Sequence, residues 1–167
     1  TGVQTCALPI YVTKKLSDSG VAITVLPSTD LYLMGRDHQH NHNRGVVRVH
    51  EMLEHGVNCS LSTNNVMNPF TPFGDCSLIR MANLYANIAH VGALNFPDCL
   101  DMVTNRSAKL LRLTEYGIKI GNNADLVVLD CKSLTEAVAE LAIPLYGFKN
   151  GRCTFTRKPV EIHRPVH

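Results

Sequence analysis

Two short apolar runs stand out in the first two thirds of the chain. Residues 21–26 form a continuous, β-branched run that ends before a proline, and residues 57–61 form a second run after a glycine. Unbroken apolar runs of this length are typical of strands that are covered on both faces. The pattern therefore predicts two buried strands, and we expect functional groups to follow their carboxyl ends.

The segments between and after these runs carry apolar residues at helical spacing. Helices are predicted over residues 11–19, 46–53, 78–89, 96–103 and 105–111. The polar stretches 28–43 and 62–75 are predicted to be loops. Because strand, loop and helix follow one another twice in this order, the pattern favours parallel βα units.

The pattern changes near residue 112. Further short strands are predicted at Ile118 and Ile120, over 124–129 and over 144–155. The dipeptide Asn150-Gly151 predicts a hairpin turn. A segment of about 55 residues buries too little apolar surface to fold unaided, so we expect it to pack against strands that lie outside this segment. We therefore expect two parts, 11–112 and 113–167.

Composition and charge narrow the class of protein. Apolar residues make up 45% of the 167, and 16 Lys and Arg stand against 14 Asp and Glu, so the net charge is +2. Neither this charge nor the short apolar runs support a nucleic-acid or membrane partner. The six cysteines lie far apart with no CxxC pair. This spacing favours reduced thiols and a cytoplasmic location over a disulfide framework or a cysteine zinc site.

One specific motif lies at the start of the second part. The run GIKIGNNADLVVLD at 117–130 resembles the C-terminal signature of the amidohydrolase superfamily. In physical terms, Gly121 turns the chain, and Asp125 can accept hydrogen bonds from turn amides. Residues 126–129 then form a strand that returns to a small β-sandwich.

Motifs in the first part resemble the cytosine deaminase branch of that superfamily. They are LPSTDLYLMGR at 26–36, RGV at 44–46, GVN at 56–58, NNVMNPF at 64–70 and PFG at 72–74. The resemblance implies an α/β fold, namely the C-terminal portion of a TIM-type (β/α)8 barrel followed by short strands of the composite β-sandwich. It also implies that the chain is the C-terminal fragment of a longer enzyme and is inactive alone.

The first ten residues depart from this resemblance. Residues 1–10 resemble translated adaptor sequence, so we expect a non-native segment there. A native but divergent arm is the alternative.

The resemblance also implies a function for the full-length protein. It is expected to hydrolyse an exocyclic amine of a pyrimidine-type ring, releasing ammonia, with a divalent zinc or iron ion that activates water. This chain is expected to hold no metal by itself, because the family's His-x-His pair and catalytic Glu lie outside it. The partner is a small nitrogen heterocycle, and the full-length protein is compatible with a homo-oligomer.

Two alternatives stay open at this point. One is an amidohydrolase that acts on isocytosine, a triazine amine or another cyclic amide or amidine. The other is a non-catalytic binding protein derived from the barrel, which an asparagine at the family's metal position would favour.

Three candidate site residues follow from the resemblance. Asn64 falls where the family has a catalytic, metal-binding Asp, but a neutral amide offers one carbonyl oxygen and cannot take up a proton near neutral pH. Asn65 falls where an acidic neighbour reads the polar edge of the substrate, and Phe70 where an aromatic ring packs on it. Turn positions for both asparagines and a core position for Phe70 are the structural alternatives.

Two further groups are weaker candidates. Asp30, after the first strand, either caps its loop, which we favour, or points toward the same mouth. The cluster DHQHNH at 37–42 could bind zinc or nickel, but catalytic ligands need fixed positions on strand ends, so we expect a solvated loop. The other histidines, including His50, are expected to be isolated surface or helix-end residues.

Overall fold

Two parallel strands anchor the first part of the protein. The computed structural model describes residues 10–69, 71–161 and 163. Strand β1 (Ile23–Val25) pairs in parallel with β2 (Cys59–Leu61), and the hydroxyls of Thr24 and Ser60 lie 2.8 Å apart across the pair. The two predicted strands and their parallel order are confirmed, although β1 is shorter than the apolar run because Pro27 begins a helix.

Helices occupy most of the chain around this pair. They are α1 (Ile10–Asp18), α2 (Pro27–Leu33), α3 (Val49–Leu53), α4 (Leu78–Ile88), α5 (Phe96–Val103), α6 (Asn105–Leu110) and α7 (Leu134–Ala139), with a 3-10 turn at Ala93–Asn95. The helices predicted at 11–19, 78–89, 96–103 and 105–111 are confirmed. The helix predicted over 46–53 begins only at Val49, and residues 46–48 before it have no regular secondary structure.

Two of these helices are absent from the sequence prediction. The expected loop 28–43 is wrong in its first third, where α2 begins with Pro27, whose fixed φ suits the first helical position. Helix α7 begins after Ser133, whose Oγ accepts a hydrogen bond from the Glu136 N–H at 3.1 Å. The Ser-x-x-Glu spacing at this helix start is a sequence signal that apolar periodicity alone overlooks in so short a helix.

A single apolar cluster packs the strand pair against the helices. Every residue of β2 is buried, and Tyr85, Cys99 and Met102 are wholly inaccessible to solvent. Val138 brings α7 into the same cluster. Strand β2 is therefore buried, as the apolar run predicts. The prediction that β1 is also a buried strand is wrong in part, because Thr24 is exposed and Ile23 is only partly buried.

The second part is an antiparallel sheet of β3 (Leu126–Leu129), β4 (Pro144–Lys149) and β5 (Arg152–Thr156), in that order. The hairpin prediction is confirmed, because Asn150 and Gly151 have φ of 50° and 74°, as a type I′ turn requires. Asp125 accepts a hydrogen bond from the Asn150 N–H at 2.8 Å and pairs with Lys149. The motif's expectation that Asp125 binds turn amides is thus confirmed.

The strands predicted at Ile118 and Ile120 are wrong. Both side chains are almost fully exposed. The side-chain amide of Asn122 donates to the carbonyls of Tyr116 at 3.0 Å and Gly117 at 3.2 Å. These bonds fold the segment back on itself, so it forms turns instead of an extended strand.

The cysteines of the described residues carry no disulfide bond. All five cysteines there are free, and burial raises the pKa of Cys59 to about 11 and of Cys99 to about 12, so both are protonated thiols at neutral pH. No helix within residues 10–69 and 71–161 has the length and apolar character needed to cross a membrane. The expected non-native segment lies, apart from Ile10, outside the described residues.

Candidate active site

The carboxyl ends of β1 and β2 carry a network of hydroxyls and amides. The Asn65 side-chain NH2 donates to Oγ of Ser28 at 2.6 Å, and the Thr29 hydroxyl donates to Oδ1 of Asn65 at 2.7 Å. The same hydroxyl lies 2.6 Å from Oδ1 of Asn64. Because parallel strands end at the same edge, residues 28–29 and 64–65 meet although more than thirty positions separate them.

The two neighbouring asparagines differ in exposure. Asn65 is 1% exposed, and its backbone N–H donates to Oγ1 of Thr63 at 3.1 Å. Asn64 is exposed, and its carbonyl accepts a hydrogen bond from the Asn68 side chain. The Asn65 amide is therefore fixed in orientation by the hydroxyls of Ser28 and Thr29. The side chain of Asn64 places a second amide oxygen against the same Thr29 hydroxyl. A side-chain amide oxygen has two lone pairs, so each Oδ1 can accept a further hydrogen bond from an N–H group of a ligand.

A pocket of about 380 Å³ opens beside Asn65. Its lining residues come from the start of α2, the loop after β2 and the start of α4: Ser28, Thr63, Asn65, Phe73, Gly74, Asp75, Arg80 and Met81. A buried amide, two hydroxyls and one aromatic ring suit a small, planar, polar molecule. The pocket lies after the carboxyl ends of the two strands, as the sequence pattern indicated, but Ser28 belongs to α2 and only the segment that begins at residue 62 is a loop.

An ion pair forms one side of this pocket. Oδ2 of Asp75 lies 2.8 Å from Nε of Arg80, and Oδ1 accepts a hydrogen bond from the Ser77 N–H at 3.0 Å. The Ser77 N–H and the Arg80 guanidinium hold the pKa of Asp75 below its usual range. Asp75 is therefore a carboxylate at neutral pH and a poor proton donor.

Asp30 does not cap its loop. It lies in the first turn of α2, and the N-cap position before this helix is Leu26, with no side-chain capping bond. Burial raises the pKa of Asp30. The favoured capping role is therefore wrong, because the residues that were expected to form a loop are helical.

The predicted site residue Phe70 lies outside the described residues. Neither its expected contact with a substrate ring nor its alternative core position can be placed against the pocket. The roles of Asn64 and Asn65 in catalysis and binding stay predictions. Both side chains contact the Thr29 hydroxyl, and Asn65 also lines the pocket.

The histidine cluster at 37–42 is exposed throughout. The ring Nδ1 of His42 lies 2.7 Å from the Gly35 carbonyl oxygen, so a backbone hydrogen bond already engages this nitrogen. Within the part of the chain that the structure describes, no group of three or more His, Cys, Asp or Glu side chains could hold a metal ion.

The residues at the strand ends do not form a metal centre by themselves. Asn64 would supply one neutral oxygen, and that oxygen already contacts the Thr29 hydroxyl. Its neighbours Ser28, Thr29 and Asn65 contribute neutral groups that are bonded to one another. Divalent ions of the hydrolytic class prefer imidazole, thiolate or carboxylate ligands, which this edge lacks.

His50 is not isolated, contrary to the sequence expectation. Its backbone N–H donates to the Tyr85 hydroxyl at 3.0 Å, and its ring Nδ1 lies 2.9 Å from the same oxygen. Burial lowers the pKa of His50, and the nearby charges of Glu51 and Arg48 act in opposite directions. The pair links α3 to α4 away from the pocket, so it stabilises the fold.

Sequence reasoning missed Ser28, Thr29, Phe73 and Arg80 as site residues. Ser28 and Thr29 directly follow β1, so their position at a strand end was the available signal. Phe73 lies within the PFG motif, but nothing in that motif distinguishes an exposed ring from a buried one. Arg80 is visible only once the loop folds onto the start of α4.

Comparison with known proteins assigns a family. The sequence profile described as Amidohydrolase family matches residues 11–155. The N-isopropylammelide isopropyl amidohydrolase of Pseudomonas sp. (strain ADP) is 30% identical over 104 residues, which are 61% of this chain and 26% of that protein. The pterin deaminase of Rhizobium rhizogenes (strain K84 / ATCC BAA-868) is 28% identical over 125 residues, 72% of this chain and 28% of that protein.

The fold matches a solved member of the same family. The crystal structure of 5-methylcytosine deaminase from Klebsiella pneumoniae, liganded with 5-fluorocytosine, superposes with a TM-score of 0.86 at 30% identity, covering 93% of this chain and 38% of that one. The chain thus spans about a quarter of the length of the curated relatives and little more than a third of this structure. It belongs to the amidohydrolase family and is similar to a cytosine-deaminase-like segment of that fold.

Proposed function

We propose that the chain is the C-terminal part of a longer amidohydrolase that hydrolyses an exocyclic amine of a pyrimidine-type ring and releases ammonia. The observation that carries this proposal is the pocket at the carboxyl ends of β1 and β2, with the buried Asn65 amide in its wall. Membership of the amidohydrolase family supports the reaction class.

The proposal assigns a place to each part of the chain. Residues 11–112 would supply the last βα units of a (β/α)8 barrel, and 113–167 would supply strands of the β-sandwich beside it. The parallel pairing of β1 with β2 supports the first assignment, since barrel neighbours pair in parallel. The full exposure of β5 supports the second, because a sandwich strand needs a facing sheet.

Residues of this chain would bind and orient the substrate. The Oδ1 atoms of Asn64 and Asn65 accept hydrogen bonds from a ring's N–H edge, while Ser28 and Thr29 hold the buried amide in one orientation. Neither amide can take up a proton near neutral pH, so proton transfer needs other groups, and we propose that the rest of the full-length protein supplies them. We further propose a divalent zinc or iron ion in the full-length protein, which when bound lowers the pKa of water.

The identity of the ring is the finer question. The relatives, by their names, deaminate 5-methylcytosine or pterin, or hydrolyse N-isopropylammelide. A pyrimidine is the first candidate, because the 5-methylcytosine deaminase structure superposes on this chain with a TM-score of 0.86. A triazine amine or another cyclic amidine is the second candidate, which the relative that acts on N-isopropylammelide supports.

Ammonia release tests the proposal. The full-length protein is supplied with cytosine, isocytosine or a triazine amine, and ammonia is measured by a coupled assay. We expect ammonia release from at least one of the three rings, and we expect it to be fastest with cytosine. Release of no ammonia, together with less than about 0.1 equivalents of bound divalent metal per chain, would favour a non-catalytic binding protein.

Asn65→Leu tests the role of the buried amide. The substitution keeps a side chain of similar size but removes both the NH2 donor and the carbonyl acceptor. We expect kcat/KM for the preferred ring to fall by about tenfold or more. Asn43→Leu, on the exposed loop, is the matched control and should retain full activity. Equal kcat/KM for Asn65→Leu and the control would contradict the assignment.

A further inference from the structure

A partly exposed aromatic ring stands in the pocket wall. The Phe73 side chain is 55% exposed, and it lines the pocket together with Asn65. Among the pocket's lining residues it is the one aromatic side chain. A large apolar surface left open beside a fixed polar amide suits a ligand with a planar face and a polar edge.

The backbone of Phe73 is held against the end of β2. The Met67 N–H donates to the Phe73 carbonyl at 3.0 Å. The next residue, Gly74, has φ of +139°, and a Cβ added there would lie 1.8 Å from the Asn65 carbonyl oxygen. Only glycine permits this approach, so the position of residue 73 relative to Asn65 is fixed.

The side chain of Phe73 contacts helix α2, which follows β1. The Tyr32 ring meets the Phe73 ring edge to face, with centroids 5.5 Å apart at 81°. The Arg36 guanidinium lies 4.7 Å from the Tyr32 ring centroid, and its NH2 group donates to the Tyr32 hydroxyl at 3.4 Å. Edge-to-face pairs and cation–π contacts both restrict ring rotation.

We propose that Phe73 is a platform on which the substrate ring stacks, in addition to Phe70, to which the resemblance gives a packing role, and that Tyr32 is the residue that positions Phe73. The inference rests on the proposed function and narrows its substrate class to flat heteroaromatic rings. A ring that stacks on Phe73 turns its polar edge toward the Asn65 amide, so one residue reads the face and the other reads the edge. Saturated rings, which lack a flat face, are disfavoured.

Steady-state kinetics of the full-length protein test the platform. Phe73→Leu keeps an apolar side chain but removes the aromatic face, and Phe73→Tyr keeps the face. For the ring that the wild type deaminates, we expect Phe73→Leu to raise KM by about tenfold with kcat changed by less than about twofold, and Phe73→Tyr to behave as the wild type. An unchanged KM in Phe73→Leu, with wild-type ammonia release intact, would overturn the platform and leave the proposed function standing.

Tyr32 variants test the positioning role without altering Phe73. We expect Tyr32→Leu to raise KM by about threefold, and Tyr32→Phe, which keeps the edge-to-face contact, to retain the wild-type KM. Identical KM values for the two variants would contradict the positioning role.

A binding measurement separates this inference from the reaction. If the wild type releases no ammonia from any ring, the proposed function fails, and calorimetric titration with cytosine then tests the platform directly. A Kd raised about tenfold in Phe73→Leu would support the platform, and equal Kd values or no binding to the wild type would overturn it.

Discussion

Asn65 is held by more hydrogen bonds than its neighbour, and this difference separates the two asparagines physically. Its side-chain NH2 donates a hydrogen bond to Ser28, its Oδ1 accepts one from Thr29, and the residue is almost fully buried. A buried amide with both ends satisfied keeps one orientation, because any rotation would leave a polar atom unpaired. Asn65 is therefore suited to reading a substrate edge, whereas the exposed Asn64 can adapt.

The His50–Tyr85 pair predicts a pH dependence of stability. Burial lowers the pKa of His50 in the folded protein below the ordinary value of 6.5. The unfolded chain therefore binds the proton more readily, and the contribution to stability is complete above pH 6.5 and declines as the pH falls through 6.5 toward the folded pKa. We expect His50→Gln to flatten this decline.

Chemical denaturation of the full-length protein between about pH 5 and 8 measures this effect. His55→Gln is the matched control, since His55 is exposed and lies next to the same helix. The control should keep the wild-type decline of the free energy of unfolding. The same decline in His50→Gln and in the control would show that another group is responsible.

The candidate site could be predicted from the sequence only in outline. The resemblance pointed to residues 64 and 65, and the strand pattern pointed to the loops that hold them. Neither could show that Asn65 is buried, that Thr29 contacts both amides, or that the Phe73 ring is open, because these facts depend on how two distant loops meet. The His50–Tyr85 contact spans 35 positions and was equally hidden.

Helix α7 depends on a capped start and a buried face. Ser133 Oγ accepts the Glu136 N–H, and the Glu136 carboxylate accepts the Lys132 N–H at 2.7 Å. Ala137 and Val138 are fully buried, and the Asn83 side chain of α4 donates to the Val138 carbonyl at 2.8 Å. The cap therefore stabilises a short helix that completes the core.

Ser133→Ala tests this contribution. Loss of a helix cap costs about 1 kcal/mol of unfolding free energy, and we expect this loss in the full-length protein. Denaturant unfolding at neutral pH measures it, with Ser19→Ala at an exposed turn as the control. A free energy equal to that of the control would mean that packing alone holds α7.

Element prediction succeeded where apolar periodicity was long and failed where local polar bonds decide. The pattern at 78–89 is long enough to locate α4. Ile118 and Ile120 alternate as in a strand, but Asn122 bonds to nearby carbonyls and turns the chain. Pro27 was taken as the end of a strand, whereas it also starts α2.

At the scale of the whole molecule, much apolar surface lacks a covering layer. Leu94, Ile118 and Ile120 are each more than nine tenths exposed, and Val127 and Phe155 add exposed side chains on the second sheet. Among the described residues, β1 and β2 form a sheet of two strands, so each has an outer edge there. Open edges and apolar patches of this kind promote association.

Differential scanning calorimetry of the isolated 167-residue chain tests most directly the claim that it is one part of a larger barrel. We expect no cooperative heat-absorption peak, and association of the chain, because its strand edges and apolar surface need the rest of the barrel. A single cooperative transition from a monodisperse monomer would contradict the account, since it would mean that these residues close a core of their own.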